Sequence, residues 1–463
     1  MYFKQFELGC LSLNSYMVAD PTTGRAVVVD PQRDVGLYLD DARLHGYTIE
    51  RIIETHFHAD FVSGHLELSE ATGAVISYGP GAEADFPLEN LSHGQRISLG
   101  EVVLEIRATP GHTPESISVV VWERQSDAEP WGVLTGDTLF IGDVGRPDLL
   151  AAAGVSPDAL ARSLYRSLHE QLLTLPEATR VFPAHGAGSA CGRAMASAPS
   201  STIGEQRTTN YALAPMSEDA FVADISRYQP TAPSYFGFAA STNRRSHQLL
   251  DHDGPTVALT MQDVAQMRRD GAVVIDARAP ETFASGHLRG AINVSLEGRF
   301  AEYAGDVVAP DRDIVVVSPP GREGEARTRL ARIGFDRTVG HLPDILAVLV
   351  EHPHEAAVAR RIPVTDLAGW AGDDPDVQVV DVRNPGEHRL GVIPGSMLLP
   401  LPLLRDRLGS LDPGRPVVVV CASGQRSSVA ASLIRHHGFE QVADVLGGYD
   451  AWAAAGLPVA APA

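Results

Sequence analysis

The C-terminal half of the chain is written twice, and a repeat of that length sets the folding unit before any other feature is read. The stretch V-V-I-D-A-R-A-P-E-T-F-A-S-G-H-L-R-G-A from Val273 aligns with V-V-D-V-R-N-P-G-E-H-R-L-G-V-I-P-G-S from Val379. The alignment superposes Asp276 on Asp381, Arg278 on Arg383 and Gly290 on Gly395. Each copy then reaches a second apolar run, Ile314 to Val317 and Val417 to Val420, followed by a Gly-containing loop and a helix ending in Gly-Phe. Two copies of one domain of about a hundred residues account for this half. Their boundaries are expected near Pro255 and Pro363, giving units 253–358 and 359–463.

The remaining unit, 1–252, brings the total to three, which suits 463 residues at about 150 per domain. Its first two hundred residues alternate short β-branched runs with turns rich in His, Asp and Gly. Strands are expected at Ala26 to Asp30, Arg51 to Thr55, Val102 to Thr109, Gly132 to Thr135 and Arg180 to Pro183, with helix over Ser156 to Leu173. This is an α/β layer pattern. From Ser189 to about Asp253 the periodicity weakens, and A-P-S-S-T-I-G-E and Y-Q-P-T-A-P-S-Y-F-G-F read as an extended arm (189–252) lying on a surface.

Composition narrows the partners. Lys and Arg number 37 against 58 Asp and Glu, a net charge of −21 that repels nucleic acid and anionic membranes. No run approaches the roughly 18 apolar residues of a membrane span. Three cysteines, Cys10, Cys191 and Cys421, are too few and too far apart for a disulfide framework, so a reducing, cytoplasmic setting is expected and any sulfur chemistry falls to single thiols.

The segment T-H-F-H-A-D places His56, His58 and Asp60 directly after a strand, where alternate residues face one side. His112 in T-P-G-H-T-P, Asp137 in L-T-G-D-T and His185 in F-P-A-H-G stand at other strand ends, and strand ends of a layered α/β fold converge on one crevice. Four histidines and two aspartates so placed make a metal site, and spacing does not choose among them. Two imidazoles and one carboxylate on one face, with positions left open, would suit a single Fe(II).

These motifs resemble the metallo-β-lactamase superfamily over about Met1 to Ser189, implying an αββα sandwich. One departure is Phe61, where two-metal hydrolases of that superfamily carry a histidine, and a phenyl ring cannot coordinate a metal. The resemblance is to the persulfide dioxygenases within the superfamily. It implies one Fe(II) per chain held by His56, His112 and Asp137, with His58, Asp60 and His185 orienting ligands and holding water. G-D-V-G-R-P-D-L resembles the stretch that follows the metal Asp in that family, and Arg146 within it reads either as a substrate contact or as a structural salt bridge. Cys191, six residues beyond His185, reads as a candidate redox thiol near the iron or as a small buried hydrophobe.

In the last unit, V-V-V-V-C-A-S-G-Q-R-S-S runs as strand, loop and helix, with Cys421 at the strand end. Loop amides of Ala422, Ser423, Gly424 and Gln425 would cradle its sulfur, and Arg426 adds a cation at the rim, so Cys421 is expected to be an activated thiolate or sulfur carrier. The C-x-x-G-x-R-S pattern, the D-x-R at Asp381 and Arg383, and L-G-G-Y resemble the rhodanese family of sulfurtransferases. A phosphatase of related fold uses a loop longer by one residue, so the short loop favours sulfur. In the middle copy Ser318 stands in the cysteine's place and Pro319 and Pro320 remove two loop donors, so that copy is expected to be inactive. The G-H-L-R-G-A of Gly286 to Ala291 is eroded in the last copy, where Val392 takes the histidine position.

The resemblances together imply a persulfide dioxygenase–sulfurtransferase. Its substrates would be dioxygen and a small-molecule persulfide on glutathione, coenzyme A or a similar thiol, and Cys421 would pass sulfane sulfur to sulfite. A homo-oligomer is expected. The alternatives are a two-metal thioester hydrolase of the glyoxalase II type fused to a sulfur carrier, and a sulfur-trafficking module in which the first domain is incidental.

Overall fold

The computed structural model describes residues 1–193, 195–251, 254–370 and 376–462. The chain divides into two compact units, one of Met1–Gln229 with Phe236–Leu250, the other of Pro230–Tyr235 with Asp251–Ala463. The boundary expected between residues 252 and 253 lies outside the described residues. No described helix is long and apolar enough to cross a membrane.

In the first unit two six-stranded sheets form the sandwich. Period-two alternation decides which residues fill it. Val27 and Val29 face Leu104, Ile106, Val119 and Val121 in the layer between the sheets. Val28, between them, points the other way, onto Tyr38 and Ala42 of helix Gly36–His45 and Leu68 of helix His65–Thr72. Val120 likewise turns outward to Ala161 and Leu164 of helix Pro157–Arg166. That helix runs on as a wider turn, Ser167–Leu172, within the single helix expected over Ser156 to Leu173.

Strands Arg25–Val29, Thr48–Ile53 and Val75–Tyr78 pair in parallel, as do Gly132–Gly136 and Arg180–Pro183. Their carboxyl ends lie together, and the two sheets are tied there by Asn14 N–H donating to Ala184 O at 2.7 Å and Ile117 N–H to Thr55 O at 2.9 Å.

The segment expected to be an extended arm contains three short helices. Helices Ile203–Thr209, Glu218–Ile225 and Phe236–Thr242 form within it, and Ile203, Phe221 and Ile225 enter the core beside Leu164. Thr202 and Glu205 form a reciprocal capping box, the signal that starts the first of these helices.

The repeat appears as two parallel sheets with matching registers. Asp276 of Val273–Asp276 pairs with Val317, and Asp381 of Gln378–Asp381 pairs with Val420, so Ser318 and Cys421 leave equivalent strand ends. Arg278 and Arg383 each fold back on the aspartate two residues earlier, at 2.9 Å and 3.0 Å from Nε to Oδ1.

Candidate functional site

The residues of T-H-F-H-A-D leave strand Thr48–Ile53 as a buried loop, and all of His56, His58, Asp60, His112, Asp137 and His185 are at most 4% exposed. Two groups form among them: His56, His112 and Asp137, and His58, Asp60 and His185, each with ligand atoms within 4.8 Å of one another. In the first, Asp137 Oδ2 lies 3.8 Å from His56 Nε2 and 3.4 Å from His112 Nε2. Asp137 Oδ1 lies 3.4 Å from His185 Nε2.

These spacings are those of donors converging on a common point, too long for hydrogen bonds between ring and carboxylate as drawn. His56 Nε2 and both Asp137 oxygens are buried without a hydrogen bond, an arrangement that costs free energy unless a cation completes it. The far side of each ring is fixed. His112 Nδ1–H donates to the Arg146 carbonyl at 2.8 Å. His56 Nδ1–H donates to Thr55 Oγ1 at 3.0 Å, whose own proton goes to Asp30 Oδ2 at 2.9 Å. Both tautomers therefore turn Nε2 toward Asp137, the second-layer support typical of metal-binding imidazoles.

His58 is differently placed. Its Nε2 lies 3.0 Å from Asp30 Oδ1 and 3.4 Å from Glu54 Oε2. Burial works against its charge, yet Asp30 and Glu54 outweigh burial and hold its pKa well above the ordinary imidazole value. A cationic ring whose Nε2 donates to Asp30 is a poor metal ligand. For His56, burial and the neighbouring histidines push the pKa well down, which leaves a neutral donor. Phe61 is fully buried with its ring 4.4 Å from that of His58, filling space where a histidine would have brought a donor.

Three supporting residues carry no motif. Asp30 sits in the left-handed region (φ 51°) and also accepts from the Thr55 amide at 2.7 Å. Glu115 accepts from the Phe57 amide at 3.0 Å. Asn243, from the end of the arm, donates from Nδ2 to the carbonyls of His58 at 2.8 Å and Phe61 at 2.7 Å and accepts from Ser63 N–H at 2.9 Å, pinning the metal loop at three points.

Of the two readings of Arg146, the structure shows the ion pair: Nε and Nη2 both meet Asp148 at 2.7 Å, and Nη1 donates to Ala190 O at 3.1 Å. Cys191 is buried and its sulfur groups with Asp137 and His185; burial, then Asp60 and Asp137, push its thiol pKa well up, so it is a protonated thiol beside the site. A cavity of about 620 Å³ opens beside His112, walled by Phe57, Leu149, Leu150 and Phe236. The guanidinium of Arg244, also in its lining, stacks over Phe57 at 4.2 Å.

In the last copy, Cys421 ends strand Val417–Val420 and its Sγ accepts from Gly424 N–H at 3.1 Å, with its own S–H 3.5 Å from Ser427 Oγ. Gly448 closes the loop from behind. A Cβ there would come within 2.2 Å of the Cys421 carbonyl, and the residue is left-handed (φ 57°), which accounts for the second glycine of L-G-G-Y. Ala422, Ser423 and Gln425 form the outer loop, with Ser423 and Gln425 exposed. Arg426 meets Glu387 through both nitrogens, at 2.7 Å and 2.6 Å. Val392 takes the place of the middle copy's His287, which bonds the Phe283 carbonyl, while His388 occupies the place of Phe283 and sets its Nε2 3.5 Å from Asp381 Oδ1. Burial raises the pKa of Asp381, but His388 and Arg383 outweigh it and lower the net value; Asp276, without such a histidine, stays raised. In the middle copy the Ser318 hydroxyl turns to the Pro319 carbonyl at 3.0 Å, and Arg322 pairs with Glu325 and Glu297.

Comparison with known proteins agrees with this layout. The model of the metallo-beta-lactamase superfamily matches residues 8–185, and that of the rhodanese-like domain matches 260–344 and 364–455. The chain is 31% identical over 239 residues to "Persulfide dioxygenase ETHE1, mitochondrial" of Bos taurus, spanning 50% of this chain and 83% of that protein. It is 40% identical over 105 residues to "Sulfurtransferase" of Allochromatium vinosum, covering 23% of this chain and 98% of that protein. Among solved structures, a metallo-beta-lactamase from Staphylococcus aureus subsp. aureus COL superposes with a TM-score of 0.67 at 30% identity, covering 73% of this chain and 98% of its own.

Proposed function

Because the chain belongs to the persulfide dioxygenase family of the metallo-β-lactamase superfamily and carries two rhodanese-like domains, we propose that it oxidises a thiol persulfide at one iron(II) and transfers sulfane sulfur through Cys421. The first reaction is RSSH + O2 + H2O → RSH + SO3²⁻ + 2H⁺. The second takes sulfur from a persulfide onto Cys421 and then onto sulfite, giving thiosulfate. Tethering suits the pair, since the acceptor of the second site is the product of the first.

His56, His112 and Asp137 are the residues that would hold the ion. The observation that carries this reading is that His56 Nε2 and both Asp137 oxygens are buried without hydrogen bonds and converge with His112 Nε2, beside a His58 whose Nε2 is taken by Asp30. Iron(II) bound there supplies the Lewis acidity and redox chemistry that bring a persulfide and dioxygen to reaction. The protein's part is orientation and exclusion of water. Thr55 and the Arg146 carbonyl fix the two rings, and the apolar wall of Phe57, Leu149, Leu150 and Phe236 shields the substrate sulfur from bulk water. Arg244 offers the one cation of that cavity's described lining to an anionic group of the thiol carrier, whether glutathione, coenzyme A or a similar thiol. His185 and the Cys191 thiol group with Asp137, and His185 Nε2 lies 3.4 Å from Asp60 Oδ2, so these residues are placed to hold water beside the ion.

At the second site, the Gly424 amide supports negative charge on Cys421 Sγ, which Ser427 also meets. Mass-spectrometric metal analysis of protein refolded or purified with iron tests the reading. One iron per chain is expected, whereas two metals per chain would favour the thioester-hydrolase alternative.

A further inference from the structure

The Cys-less copy packs beside the loop that holds its sibling's thiol. Its helix Phe300–Val307 packs on Gln425–His436, the helix that the Cys421 loop opens. The contact is fixed by specific bonds: Ser428 Oγ–H donates to Asn293 Oδ1 at 2.8 Å, Asn293 N–H to Ser432 Oγ at 2.9 Å, and Arg405 Nη1 to Val308 O at 2.9 Å. Gly298 leads into that helix so close to the loop that a Cβ there would lie 3.8 Å from Gln425 Oε1.

Held this way, Tyr303 lies within electrostatic reach of both Cys421 and Arg426. Burial raises its pKa above the usual phenol value, against the opposing pull of Arg299 and Arg426, so it keeps its proton at neutral pH. The guanidinium of Arg299 sits 6.0 Å over its ring and is itself paired with Glu302. Arg426, the cation expected to attract an anion, is committed to Glu387. The Tyr303 hydroxyl makes no hydrogen bond among the described residues, which leaves its proton available to an oxyanion at the Cys421 site.

We propose that the Cys-less copy forms the acceptor side of the Cys421 site, with Tyr303 donating a hydrogen bond to the sulfonate oxygens of the thiosulfate or sulfite that exchanges sulfur there. This rests on the reading of Cys421 as a sulfur carrier. In the step itself, the sulfite sulfur lone pair attacks the outer sulfur of the Cys421 persulfide. A new S–S bond forms, the Cys421–sulfur bond breaks, and its electron pair returns to Sγ: Cys–S–S⁻ + SO3²⁻ → Cys–S⁻ + S2O3²⁻. Tyr303 transfers no proton; its hydrogen bond orients the anion and offsets its charge, so it is a specificity residue. The inactive copy is retained on this account because it completes the active one.

The test uses the full chain with thiosulfate as donor and cyanide as acceptor, forming thiocyanate. Tyr303→Phe keeps the ring and its packing and removes only the donor. It is expected to raise the KM for thiosulfate about tenfold or more, the cost of one hydrogen bond to a charged group, with kcat and the KM for cyanide within about twofold. Cyanide has no sulfonate oxygens, so a general loosening of the site would move both constants. An unchanged KM for thiosulfate, or an equal rise for both substrates, overturns the role of Tyr303. Cys421→Ser run beside it separates the two claims: thiocyanate formation that survives the serine overturns the sulfur-carrier reading itself.

Discussion

Replacing Cys421 with serine is expected to abolish sulfur transfer, by more than about a thousandfold in kcat/KM with thiosulfate and cyanide, while oxygen uptake on a persulfide continues. A hydroxyl has no route to a persulfide, and no second thiol stands ready in that unit: Cys10 and Cys191 both belong to the other one. Ser318, at the equivalent strand end, cannot substitute, since its hydroxyl is turned to the Pro319 carbonyl. Fold stability should change little, because the hydrogen bonds of Sγ among the described residues are those with Gly424 N–H and Ser427 Oγ, which an oxygen can approximate. The product should change with it: the variant should release sulfite where the parent releases thiosulfate. Ion chromatography of the two anions reads this directly, and an unchanged thiosulfate yield would refute the assignment.

Replacing His112 with alanine is expected to do the reverse. The substitution removes one of three converging donors, 3.4 Å from Asp137 Oδ2, and frees the Arg146 carbonyl that fixed the ring. Losing one ligand of three leaves a site too weak to retain iron through desalting. Persulfide-dependent oxygen uptake should fall by at least about a thousandfold, since the step has no route without the ion. Thiocyanate formation through Cys421 should stay within about twofold of the parent. Iron content and the two activities, measured on one preparation, give the pattern. A chain in which His112→Ala left function intact and Cys421→Ser removed it would instead be a sulfur-trafficking module.

Much of this was legible in the residues because both sites sit at strand ends, where short motifs and position coincide. T-H-F-H-A-D, P-G-H-T and T-G-D each follow an apolar run, and the layered fold brings those ends together. The repeat was legible for the same reason: Asp276 and Asp381 hold the same register against Val317 and Val420. What escaped were the partners that no local pattern announces. Asp30 closes an ordinary strand and acts through Thr55 at a distance of 25 residues. Asn243 belongs to a stretch whose weak periodicity read as an arm; its helices are short and interrupted, although T-I-G-E at Thr202 to Glu205 is a capping signal that pattern reading could have used. His388, one helical turn before the eroded position, pairs with Asp381, and a motif scan that asks for a residue at a fixed offset does not find it. Arg426 looked like a free cation because Glu387 is 39 residues away in sequence.

Oxygen consumption is the most direct measure of the central claim. Protein loaded anaerobically with Fe(II) and given a glutathione or coenzyme A persulfide should take up one dioxygen per persulfide, with one iron per chain and sulfite or thiosulfate as product. Iron-loaded protein that consumed no oxygen with either persulfide, and instead hydrolysed an acyl-thiol anaerobically with two metals bound, would contradict it.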